Sequence, residues 1–289
     1  MKRSLRFLLY SIHGHVATGR PDYEALFRSL TSIKGYYREE GKRLVAVGSA
    51  MLVKHQTRLL LTVYTGDKEK AILFFNVKEK SEYNWMTAPN QFMARKTHVL
   101  IDPAQRQLLI ETGRGSLPAE ELAKIIEEEA RKKADYKTLD LSFTPVASPG
   151  FAAKINQMER IQSATVSISR PNYDWNHRYE ALAKLADDSR GGAIDATVRA
   201  RRGDSLSKDD GLIPSIKHWL SDKLSAVSSA KIKGSLRDGG SGLITLKLSD
   251  YIETMNAAVE VNPESHQPIE TEVTEKLNEF LDTKGESNA

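Results

Sequence analysis

Four segments in the second half of this chain alternate apolar and polar residues one by one. Ala164, Val166 and Ile168 alternate with Thr165, Ser167 and Ser169, and Ile194, Ala196 and Val198 with Asp195, Thr197 and Arg199. Ile232 stands between Lys231 and Lys233, while Ile244, Leu246 and Leu248 enclose Thr245 and Lys247. A strand turns successive side chains to opposite sides, so this period of two demands a sheet with one packed and one wet face. The wet face gathers hydroxyls and cations, which is the surface a polyanion seeks.

The first half follows a different pattern. Leu5-Arg6-Phe7-Leu8-Leu9-Tyr10 opens a strand over 5–16 that is apolar on both sides, as a fully buried strand must be. Lys2 and Arg3 before that run imitate a signal peptide. Arg6 interrupts the run, though, and no small-residue cleavage site follows. Pro21 precedes a helix over 22–34, with Tyr23, Leu26, Phe27, Leu30 and Ile33 on one face. Strands are expected at 43–53, 58–64 and 70–77, a hairpin at 97–101 and 107–111, a helix at 118–133 and a strand at 138–145. Ser116 is the expected N-cap of that helix, and Ser148-Pro149-Gly150 reads as a break.

Beyond the break the order is strand 161–169, helix 176–187, strand 193–202, helix 211–225 and strands 229–237 and 242–249. Ile269, Val273, Leu277, Phe280 and Leu281 then line one stripe of a C-terminal helix, which is expected to dock on its own chain. The fold class is therefore α+β: two α/β-layer domains with largely antiparallel sheets, at 1–150 and 158–252. An acidic tail with an amphipathic helix follows at 253–289. Residues 251–289 hold two of the 42 Lys and Arg but nine of the 38 Asp and Glu, a net of −7 against +11 for the preceding 250 residues. Such a tail either solubilises the protein or competes with an anionic partner. The chain has no cysteine, which excludes disulfides and thiol chemistry, and no stretch approaches the roughly 20 apolar residues of a membrane span. The expected location is the cytoplasm.

The strongest candidate for function is Arg199-Ala200-Arg201-Arg202-Gly203-Asp204-Ser205-Leu206-Ser207-Lys208. Guanidinium forks grip phosphates in pairs of hydrogen bonds, and Lys231, Lys233, Arg237 and Lys247 would widen the field. The competing reading pairs these arginines with Asp204, Asp209 and Asp210. Trp175, within Tyr173-Asp174-Trp175-Asn176-His177, offers a platform for an unpaired base or a plug at the core edge.

Three other motifs carry less. His13-Gly14-His15 is half of a metal site without a second half, so no metal or cofactor is expected. His13, His15 and His55 are alternative acid/base residues, suited to a metal-independent, ferredoxin-like RNA endonuclease. Gly113-Arg114-Gly115-Ser116 before a helix could cradle a phosphate, although it lacks the P-loop lysine.

The order of strand 161–169, the helix around Tyr179 and Ala186, and the Arg-rich strand and loop at 194–207 resembles RexA-like phage exclusion proteins. It also resembles an uncharacterised bacterial and prophage family of similar length. This resemblance implies dimeric, largely sequence-independent DNA binding in phage exclusion or defence, and it places Arg199, Arg201 and Arg202 at the surface role. The expectation is a nucleic-acid-binding protein for DNA or RNA, acting as a homodimer with a possible second defence-system protein. A non-catalytic interaction subunit using the C-terminal stripe is the remaining alternative.

Overall fold

A computed structural model of the chain describes residues 1–289 except 69, 70, 77, 79, 87, 89, 90, 170–190, 192, 237–241 and 287–289. Its fold is α+β with antiparallel sheets and a C-terminal helix. The first sheet contains β1 (Lys2–His15), β2 (Tyr37–Glu40), β3 (Arg43–Val53), β4 (Arg58–Asp67), β7 (Met93–Asp102), β8 (Gln107–Thr112), β9 (Asp140–Pro145) and β14 (Thr254–Glu260). Their order is β14-β1-β8-β7-β4-β3-β2, with β9 continuing the β14 edge along β1. A separate hairpin, β5 (Ala71–Asn76) with β6 (Ser81–Met86), lies between β4 and β7 in the chain.

This sheet is covered on both sides, which explains its continuous apolar runs. Ile12, Leu59, Leu61, Val99, Ile101, Leu108 and Ile110 face helices α1 (Tyr23–Ser29) and α2 (Ala119–Ala130). The alternate residues Leu5, Phe7, Leu9, Leu60, Leu100 and Leu109 pack with Val273, Leu277 and Leu281 of α5 (Glu270–Glu286). The amphipathic stripe therefore docks within its own chain. Arg58 fastens it: Nε donates to Asp102 Oδ2 at 2.8 Å, Nη1 to Asn278 Oδ1 at 2.9 Å, and Nη2 pairs with Asp282 at 2.9 Å.

The second sheet is inserted between β9 and β14. Its order is β11 (Ala193–Arg199), β10 (Met158–Ser169), β12 (Val227–Leu236), β13 (Ile244–Lys247). The inner side, with Ile161, Ala164, Val166, Ile168, Ala230, Ile232 and Leu246, packs on α3 (Pro149–Gln157) and α4 (Leu212–Ser221). The two connections to the first sheet run side by side: Ser148 N donates to Tyr251 O at 2.7 Å and Glu253 N to Val146 O at 2.7 Å.

Several local expectations need correction. Pro149 opens helix α3 rather than marking a break, because its missing N–H is harmless at a first helical position. Ser116 does not cap α2. Its hydroxyl closes a turn onto Gly113 O at 2.8 Å, and Pro118 takes the N-cap place. The helix expected over 22–34 tightens after Ser29 into a 3-10 turn, Leu30–Ile33. Thr254–Glu260, read as tail, is the edge strand beside β1. The expected helix over 176–187 lies outside the described residues. No described helix is long and apolar enough to cross a membrane.

Candidate nucleic-acid interface

Pairing in the second sheet turns sequence alternation into a two-dimensional array. Arg199, Ser163, Lys233 and Thr245 stand in one row across the four strands. Thr197, Thr165, Lys231 and Lys247 form the next. Arg199, Lys231, Lys233 and Lys247 are all exposed. The hydroxyls between them hold one another, Thr165 Oγ1 to Thr197 Oγ1 at 3.0 Å and Ser229 Oγ to Ser167 Oγ at 2.9 Å, so they do not occupy the cations.

At one end of the array the register of β10 shifts twice, between Met158 and Arg160 and between Ile161 and Ser163. Such irregularities free backbone groups and re-aim side chains. The loop after β11 takes up the freed groups. Ala200 N donates to Gln162 O at 2.8 Å, Leu206 N to Ile161 O at 2.8 Å, and Ser205 Oγ accepts from Ile161 N at 3.0 Å. Asp204 N closes a turn onto Arg201 O at 3.0 Å around Gly203, whose φ of 93° suits glycine. Arg201 and Arg202 are thus presented on a braced loop. With Arg160, Arg199 and Lys233 they line an open concavity of about 540 Å³ that holds one carboxylate, Asp204.

The alternative of local ion pairs has a clear geometric signature, and it is missing among the described residues. Among the described residues, Arg199, Arg201, Arg202, Lys231, Lys233 and Lys247 have no carboxylate within 4.0 Å. Several cations on and around the first sheet behave differently: Arg38, Arg43, Lys68 and Arg131 pair with Glu128, Glu121, Glu39 and Glu127 at 2.8–3.2 Å. The acidic helix α5 likewise pairs with the first sheet, through Lys54–Asp282 at 2.7 Å and Lys96–Glu270 at 3.7 Å. No described ion pair joins it to the cationic face.

Lys208 does not belong to the array. Its ammonium donates to Asn156 O at 3.2 Å and to Met158 O, so it satisfies carbonyls at the end of α3. Arg160 belongs in its place, and the sequence concealed it because only the loop's return to β10 brings it there. Arg237 and Trp175 lie outside the described residues.

His13 and His15 lie two residues apart on β1, and His55 lies apart from them. His13 is buried at 3% exposure, with Nε2 at 2.9 Å from Ser11 Oγ. Burial, reinforced by Arg106, pushes its pKa down to about 3 against a weaker opposing hydrogen bond to the Ser225 backbone. His55 sits at the β3–β4 turn with φ of 56°. Two strands separate β4 from β1, so the turn that carries His55 begins a strand about 14 Å from the one that carries His13. Among the described residues no three His, Asp or Glu side chains form a metal-ligand group.

One constellation had no sequence signal. His98 on β7 pairs directly with Thr62 of β4 and, through Nδ1, reaches Glu111 Oε2 of β8 at 2.7 Å. The two are 13 residues apart and meet only across the hairpin. Comparison of the sequence with family models and with curated proteins returns no match.

Proposed function

We propose that this protein binds nucleic acid through its phosphate backbone, using the outer side of β10–β13 and the loop at 200–206. The observation that carries this reading is the set of six exposed cations on one surface with no carboxylate partners among the described residues. Like charges clustered on one surface repel one another and sum to a positive field, which a polyanion meeting that surface relieves.

The arrangement suits backbone contact better than base readout. A broad, shallow array of lysines and arginines with short hydroxyls between them follows a charged ribbon, and no described element projects as a groove-reading helix from it. The resemblance to RexA-like proteins, read from the sequence alone, implies the same sequence-independent mode, and a role in phage exclusion or defence rests on that resemblance.

Fluorescence anisotropy with labelled duplex and single-stranded DNA and with RNA tests the proposal. Binding should be similar for unrelated sequences, weaken with salt and be lost in an Arg199→Glu, Arg201→Glu, Lys233→Glu variant that still folds. Unchanged binding by that variant would overturn the assigned surface. Stoichiometry in the same titration separates a monomer from the dimer that the resemblance implies.

A further inference from the structure

The geometry points to a second anion site, separate from the cationic sheet face: a pocket in the first sheet that takes the phosphate group of a small molecule, with His98 as its buried contact. The pocket measures about 530 Å³ and lies where the segment before α5, at Gln267 and Pro268, passes over the ends of β7 and β8. That volume falls within the range of small-molecule sites.

His98 is 1% exposed and Glu111 4%. Glu111 Oε2 also accepts from the His98 backbone N at 3.2 Å, so one carboxylate oxygen fixes both the ring and the strand behind it. An ionised carboxylate only accepts, and therefore Nδ1 carries the hydrogen. The other ring nitrogen, Nε2, belongs to a residue lining the pocket, has no solvent exposure of its own and no hydrogen-bond partner. A buried polar atom without a partner is costly; with the hydrogen on Nδ1, Nε2 of the neutral ring accepts, so it meets a phosphate through a P–OH proton and donates to an ionised oxygen only as an imidazolium.

The surroundings select for an anion. Arg3, Arg95, Lys96 and Arg114 line the pocket against Asp67 and Glu111. Arg3 and Arg114 are exposed and have no ion pair among the described residues. Arg95 approaches Glu111 Oε1 at 3.8 Å, and its buried Nε has no hydrogen-bond partner. Gly113 makes room for it, since a Cβ there would lie 2.6 Å from Arg95 Nη2. Lys96 is shared with Glu270 at 3.7 Å, and Glu270 is held by Thr62 Oγ1 at 2.7 Å. Two arginine forks free to close over a buried imidazole suit the several oxygens of a phosphate better than the two of a carboxylate.

The test follows the His98 ring signals of the full chain by NMR during titration with inorganic phosphate, adenosine 5′-monophosphate and adenosine. The Arg199→Glu, Arg201→Glu, Lys233→Glu variant serves as the background, so that phosphate on the sheet face does not contribute. Phosphate and the monophosphate should shift the His98 signals to saturation, and adenosine should not. A tighter monophosphate than phosphate identifies a nucleotide source, while equal affinity identifies the phosphate group alone. Arg114→Ala, at an exposed position that leaves the core intact, should weaken binding about tenfold, the loss expected for one charge-assisted hydrogen bond. The inference is overturned if His98 signals do not saturate, if adenosine matches the monophosphate, or if Arg114→Ala binds phosphate as the parent does. Loss of DNA binding with phosphate binding retained would separate this pocket from the sheet face.

Discussion

Lys231 on β12 and Lys247 on β13 are direct cross-strand partners, two like charges facing each other on an exposed sheet surface with no carboxylate nearby among the described residues. Like charges in that position destabilise a strand pair by roughly 0.2–1 kcal/mol. Lys247→Thr should therefore leave thermal stability unchanged or slightly raised while weakening nucleic-acid binding. A loss of both together would mean that Lys247 serves the fold.

Acid should unfold the protein in part through His13. Its folded pKa of about 3 lies below the ordinary histidine value of 6.5, so the unfolded chain binds a proton that the native chain excludes. The stability this group contributes is whole above about pH 6.5 and is lost as pH falls toward 3, at about 1.4 kcal/mol per pH unit. Denaturant melts of the parent and His13→Gln across that window should differ in slope by about one proton. Parallel profiles would contradict the buried neutral imidazole.

Arg58→Met should cost about 3–5 kcal/mol, since it strands the buried Asp102 carboxylate 2.8 Å from the vanished guanidinium. Adding Asp102→Leu should recover much of that loss. Hydrogen exchange in α5 should accelerate in the single variant, because Asn278 and Asp282 lose the same anchor. Protection of α5 equal to the parent would show that Val273, Leu277 and Leu281 hold the helix alone.

Gly234→Ala should disturb the end of the second sheet. A Cβ at Gly234 would lie 2.0 Å from the Arg160 carbonyl oxygen, at the irregular stretch of β10 that braces the arginine loop. Overpacking of this kind costs about 1–3 kcal/mol, read as a lower denaturant midpoint. Nucleic-acid affinity should fall with it, because Arg160 and Arg201 share that framework. An unchanged midpoint would show that the backbone yields without strain.

Legibility in the sequence followed the range of the interactions involved. Period two at 161–169 and 231–233 identified the wet and packed sides, because side-chain alternation is a property of each strand alone. The stripe of Val273, Leu277 and Leu281 announced a docked helix for the same local reason. Strand β14 was hidden: Met255, Ala257 and Val259 form too short a run to be recognised without β1 beside them. Arg160 joined the candidate surface only through the loop folding back on β10, and Lys208 left it because α3, read as a break, ends under its ammonium. His98 and Glu111 could not be linked from spacing, since their meeting depends on the register of β7 with β8.

The central claim, that the outer side of the second sheet meets phosphates, is tested most directly by the salt dependence of DNA binding. Contacts from Arg199, Arg201, Arg202, Lys231, Lys233 and Lys247 predict a slope of log K against log salt near −5 on duplex DNA, at about −0.9 per phosphate. Neutralising three of them, with Arg199→Gln, Arg201→Gln and Lys233→Gln, should flatten that slope to between about −2 and −3. A slope that stays near its parent value in the folded variant would place the phosphates elsewhere and contradict the account.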